Sequence, residues 1–250
     1  MKKLIFLVVL LVNPVFAADD GFSEVESSLK KAMKSPLRSE EEVARDRNRR
    51  PVQTLKFFGL RSDMKVIELI PGGGWYSKLL APVLAEDGEY SVAMGTAGVS
   101  RNLLGKEGME FINVIESGAN IRREKGERFN SVDEFELGPT DIDIIFTFRN
   151  YHNFNELARK RINKAAFKAL KSGGVYAVVD HTRRHMQKLN HENRRRVDPV
   201  LAIKEIQEAG FVLEDYSDLH YRADDELRYE VGRKSVTGNT DRFSLKFRKP

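Results

Sequence analysis

The chain has 250 residues, no cysteine and a formal net charge of +5. Without cysteine there are no disulfides, no thiolate catalysis and no cysteine metal sites, so stability rests on an apolar core. Basic and acidic residues are mixed along most of the sequence rather than gathered on one basic face, which argues against a nucleic-acid binder.

The opening segment, MKKLIFLVVLLVNPVFAADD, carries Lys2 and Lys3, an apolar run from Leu4 to Val12, and small side chains ending at Ala17. That is the layout of a secretory signal peptide over residues 1–17, with cleavage after Ala17. The run falls short of the roughly 20 residues that cross a bilayer. The mature protein is therefore expected in the periplasm or secreted, free of the membrane, and is long enough for one α/β domain.

Residues 18–60 read as a helical N-terminal extension. The stretch "SEVESSLKKAMKS" suits a short helix ended by Pro36. Ser39 with Glu42 three residues on matches a capping box, opening "EEEVARDRNRR". Pro51 breaks that helix, and "VQTLKFFGL" forms another, with Gly59 as terminator.

Residues 61–250 alternate between the two periods. Strands are predicted at Lys65–Ile70, Glu89–Met94, Phe111–Ile115, Ile142–Phe148, Val175–Asp180, Phe211–Tyr216 and Phe243–Phe247. Helices fit at Tyr76–Ala85, Asn155–Leu170 and Pro199–Ala209. This alternation predicts a mostly parallel sheet with helices on both faces. The long polar link between the last two strands suits an antiparallel return at the sheet edge.

The stretch VIELIPGGGWYSKLLAPVL, Val66–Leu84, joins an apolar strand to a helix through Gly72, Gly73 and Gly74. In open α/β sheets ligands bind at the carboxyl ends of the strands, where a glycine turn and a helix N-terminus present free amides. A dinucleotide site wants G-x-G-x-x-G and an acid ending the second strand. Gly72 and Gly74 fit, but Ser77 takes the third position and Met94-Gly95-Thr96 offers no acid. S-adenosylmethionine sites use an acid followed by glycines two, four and six residues later. From Glu68 those positions hold Ile70, Gly72 and Gly74. "LKSGGVYAVVD" and "VLAIKEIQEAGF" also suit the fifth strand and the last helix of that fold.

The segments "RDRNRRPVQTLKFFGL", "PGGGWYSKLLAPVL", "FTFRNYHNF", "VVDH" and "TDRFSLKFRKP" together span Arg45–Pro250. Through them the chain resembles a family of exported bacterial proteins described as predicted S-adenosylmethionine-dependent methyltransferases. The resemblance implies a Rossmann-like class I methyltransferase fold, with a seven-stranded sheet whose last strand is antiparallel. It implies methyl transfer by fold analogy. On that basis Glu68, Pro71, Gly72, Gly73, Gly74, Trp75, Tyr76 and Asn150 are the expected cofactor-binding residues. Trp75 and Tyr76 either stack on the adenosine or pack the helix.

For chemistry, "TFRNYHNF" follows the fourth strand at its carboxyl end. His152 is the expected base, Arg149 the ligand of a substrate carboxylate or phosphate, and Tyr151 a pocket wall. Asp180, at the end of the fifth strand, is a second acid–base group, a partner that orients His181, or a cap. His181, His185 and His191 lack the spacing of a zinc site, and no metal is expected. "TRRHMQKLNHENRRR" reads as a mobile basic loop. If it covers the pocket, it selects an anionic small-molecule substrate. Asp46, Arg47, Arg50 and Pro51 are expected to approach the glycine turn. The cofactor is made in the cytoplasm, away from an exported protein. The second reading is therefore a methyltransferase fold kept as a non-catalytic binding protein for another adenosine compound or a small anion.

Overall fold

The structure, a computed structural model, describes residues 22–250, so the signal peptide read over residues 1–17 lies outside the described residues. Four helices come first: α1 (Phe22–Ala32), α2 (Glu40–Ala44), α3 (Asp46–Arg49) and α4 (Pro51–Phe58). The predicted capping box is present. Ser39 Oγ accepts from the Glu42 amide, and the Glu42 carboxylate accepts from the Ser39 amide at 3.0 Å. The helix expected over "EEEVARDRNRR" is split at Arg45. Arg50 then turns left-handed (φ 42°) and Pro51 opens α4, because proline fits the first helical position but not the interior.

The α/β body follows as β1 (Lys65–Leu69), α5 (Ser77–Val83), β2 (Glu89–Ala93), α6 (Ala97–Asn102), β3 (Ile112–Ile115), β4 (Ile121–Arg122) and β5 (Ser131–Val132). It continues with β6 (Ile142–Phe148), a 3-10 turn (Tyr151–Asn153), α7 (Glu156–Ala169), β7 (Leu170–His181), α8 (Pro199–Glu208), β8 (Val212–Ser217) and β9 (Arg242–Arg248). Seven strands form one sheet in the order β3-β2-β1-β6-β7-β9-β8, with β4 and β5 as a separate pair. β1, β2, β3, β6 and β7 run parallel, and β9 runs antiparallel between β7 and β8. The antiparallel return is therefore not at the edge. β9 inserts one strand inward and leaves the short, exposed β8 outside.

Strand alternation splits the core into two layers. Ile144, Phe146 and Phe148 of β6 face α1, α4 and α5, whereas Ile142 and Ile145 face α7 and α8. Phe22, Val25 and Leu29 of α1 are buried in the first layer, so the N-terminal helices share the core of the sheet. β7 starts earlier than expected, at Leu170. The turn "KSGG" is absorbed where the register jumps from Ile142↔Leu170 to Ile144↔Val175.

Candidate active site

The chain order places β1 between β2 on one side and β6 on the other, so the topology switches direction beside β1. The residue after each of these three strands is left-handed: Ile70 (φ 55°), Met94 (φ 63°) and Arg149 (φ 60°). Such conformations disfavour non-glycine residues and gather at ligand sites. Ile70, where the motif has glycine, keeps the glycine-like backbone despite its β-branched side chain. Gly74 (φ 86°) packs its Cα against Leu103, with no room for a side chain. Gly98 of α6 lies against the Gly72 carbonyl just as closely, a role the sequence reading missed.

Around this turn lies a cleft of about 220 Å³. Glu68, Pro71, Gly72, Gly73, Trp75, Tyr76 and Asn150 all line it, so the structure brings together every residue named from the glycine motif except Gly74. Their roles are unequal. Asn150 donates to the carbonyls of Ile70 and Phe148, both at 3.0 Å, tying the end of β1 to the end of β6. Glu68 is fully buried and accepts from Ser77 Oγ at 3.0 Å and Tyr90 Oη at 2.5 Å. Burial pushes its carboxyl up to about 7, against the lowering effect of those hydrogen bonds and of Arg49. Tyr76 stacks on Phe148 with centroids 3.6 Å apart, and Trp75 meets Tyr76 edge-on at 4.6 Å. Both rings pack in the first core layer and also border the cleft.

The N-terminal segment closes the cleft. The Trp75 indole donates to the Glu42 carbonyl at 3.0 Å, and Lys78 bridges to the Glu42 carboxylate at 2.7 Å. Glu42, Arg45 and Arg49 form that wall. Of the residues expected to approach the turn, Asp46 instead makes a bidentate pair with Arg38 at 2.5 and 3.0 Å. The sequence reading missed Arg45 and Arg49. Their i, i+4 spacing in "RDRNRR" is the signal that could have found them.

Arg149 also lines this cleft, but His152 does not. His152 opens into a separate cleft with Arg159 and Arg183. Asp180, wholly buried, accepts from the His152 amide at 2.9 Å and from His152 Nδ1 at 2.5 Å. It therefore orients the ring of His152 rather than that of His181, from which it takes only the backbone amide at 2.6 Å. The Tyr151 hydroxyl donates to Glu205 at 2.8 Å inside the second core layer, so Tyr151 is not a cleft wall. His181 ends β7 with Nδ1 at 2.9 Å from Thr240 Oγ1. Burial, reinforced by His152, Arg242 and Arg149, drives its pKa well down, and the ring stays neutral.

The segment read as a mobile basic loop is anchored instead. Arg196 forms a buried bidentate pair with Asp225 at 2.8 and 3.0 Å, and Arg195 pairs with Glu230 at 2.8 Å. His185 bonds Asp198 at 2.9 Å, away from His181 and not on a helix. No cluster of three or more side chains among the described residues has the makings of a metal site. No helix among them is long and apolar enough to cross a membrane.

No family model and no curated protein matches the chain. Solved structures do. An S-adenosylmethionine-dependent methyltransferase from Aquifex aeolicus aligns at 17% identity with a TM-score of 0.58, over 89% of this chain and 97% of that one. The cyclase SpnF aligns at 11% identity and TM-score 0.55, over 91% and 93%. The glycopeptide N-methyltransferase MtfA aligns at 13% identity and TM-score 0.52, over 81% and 96%. At these identities the likeness is one of fold, and the sheet order agrees with it. The chain carries the Rossmann-like fold of the class I methyltransferases.

Proposed function

We propose that the protein is an S-adenosylmethionine-dependent methyltransferase acting on a small molecule. The observation that carries this reading is the cleft at the glycine turn, set at the switch beside β1 and walled by Arg45, Arg49, Trp75 and Tyr76. The cleft suits the amino-acid end of the cofactor. Arg49 lines it, and nothing lies within 4 Å of where a side chain at Gly72 would begin. The adenosine end is less well provided, because the end of β2 offers Met94 and Gly95 where an acid would hold ribose hydroxyls.

When bound, the cofactor supplies an electrophilic methyl group on a sulfonium. The protein's own part is positional. Trp75, Tyr76 and Arg49 exclude water from the turn, and Glu68 holds Ser77 at the start of α5. Arg149 sits on the walls of this cleft and of a neighbouring one. It is the group best placed to hold the two reactants in line. Where the acceptor must lose a proton, the candidates are neutral His181, on the neighbouring cleft, and His152, fixed by Asp180.

The test is calorimetric titration with S-adenosylmethionine and S-adenosylhomocysteine, with Gly73→Arg as control. A Cβ at Gly73 would meet only the Asn102 side-chain nitrogen, at 3.7 Å. The variant is therefore expected to fold, with its long side chain filling the cleft. Micromolar binding lost in the control supports the reading. No binding by a folded, monodisperse sample sinks it. That outcome leaves the binding-protein alternative, a methyltransferase fold that holds another adenosine compound or a small anion without turnover.

A further inference from the structure

Behind the glycine turn, a second cleft of about 280 Å³ opens between the ends of β6, β7 and β9. It shares Arg45, Arg49 and Arg149 with the first. Arg195 and Arg242 complete its charged wall, the neutral His181 ring borders it, and no acidic side chain lines it. We propose that this second cleft binds an oxyanion, the carboxylate or phosphate group of the methyl acceptor, an assignment to the acceptor that rests on the methyl-transfer reading above.

Among the described residues, three arginines outside the cleft are matched by an acid. Arg38 pairs with Asp46, Arg159 with Glu205 and Arg196 with Asp225. In the cleft only Arg195 has such a partner, Glu230. Arg49 and Arg242 are each 6% exposed, and the Nε of each is buried without a hydrogen-bond partner. Arg242 donates from Nη1 to the Asn48 carbonyl at 2.8 Å, and Arg49 is held by Trp75. The two buried carboxylates that act on these arginines are hydrogen-bonded elsewhere, Glu68 to Ser77 and Tyr90, and Asp180 to His152 and His181. Burial first, then neighbouring guanidiniums (Arg149 and Arg242 beside Arg49, Arg45 beside Arg149, Arg149 beside Arg242), disfavours the charged forms, against the favourable effect of Tyr76 and, for Arg149 and Arg242, of Asp180. A guanidinium nevertheless stays protonated at neutral pH. Unpaired buried charges are unfavourable in the free protein, and an oxyanion with forked acceptor geometry satisfies them. The remainder of the wall, including Asn48, Thr240 and Gly238, is neutral.

The test uses the whole chain and two probes, inorganic phosphate and succinate, each titrated with and without saturating S-adenosylhomocysteine. Phosphate or succinate should raise Tm by a few degrees, with the tighter of the two naming the acceptor's group. The response should persist with S-adenosylhomocysteine bound. Arg149→Gln should melt higher than the parent in anion-free buffer, because a like charge is gone, and should bind the anion at least about tenfold more weakly. Arg123→Gln, on the exposed surface, should change neither. If Arg149→Gln does not fold, the exposed wall residue gives the same reading: Arg45→Gln should weaken anion binding several-fold.

Three outcomes decide the matter. An Arg149→Gln protein that melts lower, with no anion response in the parent, makes the cluster structural and overturns the proposal. Anion binding abolished by S-adenosylhomocysteine assigns the arginines to the cofactor's carboxylate and overturns the acceptor assignment alone. Anion binding with no S-adenosylhomocysteine binding keeps the oxyanion site and overturns methyl transfer.

Discussion

The guanidinium carbon of Arg49 lies 4.2 Å from the centroid of the Trp75 ring, so a cation buried without an acid is held by an aromatic face. Trp75 belongs to the glycine turn and Arg49 to α3. This contact therefore joins the Trp75 and Lys78 links to Glu42 in holding the N-terminal helices against the ligand end of the sheet. A planar guanidinium stacks in this way and an ammonium does not. Arg49→Lys is expected to lose about 1–2 kcal/mol, a Tm drop of several degrees for a domain of this size. Thermal melts check it, and a lysine variant as stable as the parent would show that the stacking contributes nothing.

Glu68 gives a signed pH dependence. Its folded-state pKa is raised to about 7 from an ordinary value of 4.5, so between those values the folded state binds the extra proton. The stability it contributes is full below about pH 4.5 and is lost as pH rises through 7. For a fully buried group the loss approaches about 3 kcal/mol. Glu68→Gln has no such proton. The stability of Glu68→Gln relative to the parent should therefore climb between pH 5 and 8, and denaturant titrations at both ends measure the climb. A flat difference would mean that Glu68 titrates normally in the fold.

Ile70 shows how a departure from a sequence motif can leave its geometry intact. Its φ of 55° is the glycine-like conformation, costing a β-branched residue roughly 1–2 kcal/mol. In ordinary backbone, alanine is more stable than glycine by about 0.5–1 kcal/mol. At this position the order should invert, with Ile70→Gly melting above Ile70→Ala. The usual order would show that the turn relaxes to another conformation in solution.

How legible the site was depended on how local its causes are. β6 was read to the residue, because Ile142–Phe148 is a nearly unbroken apolar run between polar flanks, as a strand buried on both faces must be. β7 was started too late, because the glycines of "KSGG" look like a turn and only the pairing with β6 shows that they bulge within the strand. The glycine cleft followed from one contiguous motif. The partner of Asp180 did not. The side chain reaches His152 across 28 positions, and sequence proximity pointed to the adjacent His181 instead. The Arg49, Arg149 and Arg242 cluster is assembled from three distant segments, and no spacing rule connects them.

The last prediction separates structure from catalysis at Asp180. Its carboxylate is 0% exposed and accepts the His152 amide, the His152 ring and the His181 amide. Asp180→Ala orphans two buried backbone donors and a ring nitrogen, each worth roughly 1–3 kcal/mol when unsatisfied. A loss of about 3 kcal/mol or more is expected, read as a Tm drop near 10 °C. Lost activity in that variant therefore says nothing about proton transfer. His152→Ala and His181→Ala are the informative pair, because they remove rings on different clefts. If a proton is taken in the arginine cleft, His181→Ala lowers kcat at unchanged cofactor affinity while His152→Ala acts mainly on Tm. The opposite split would move the chemistry to the cleft of Arg159 and Arg183.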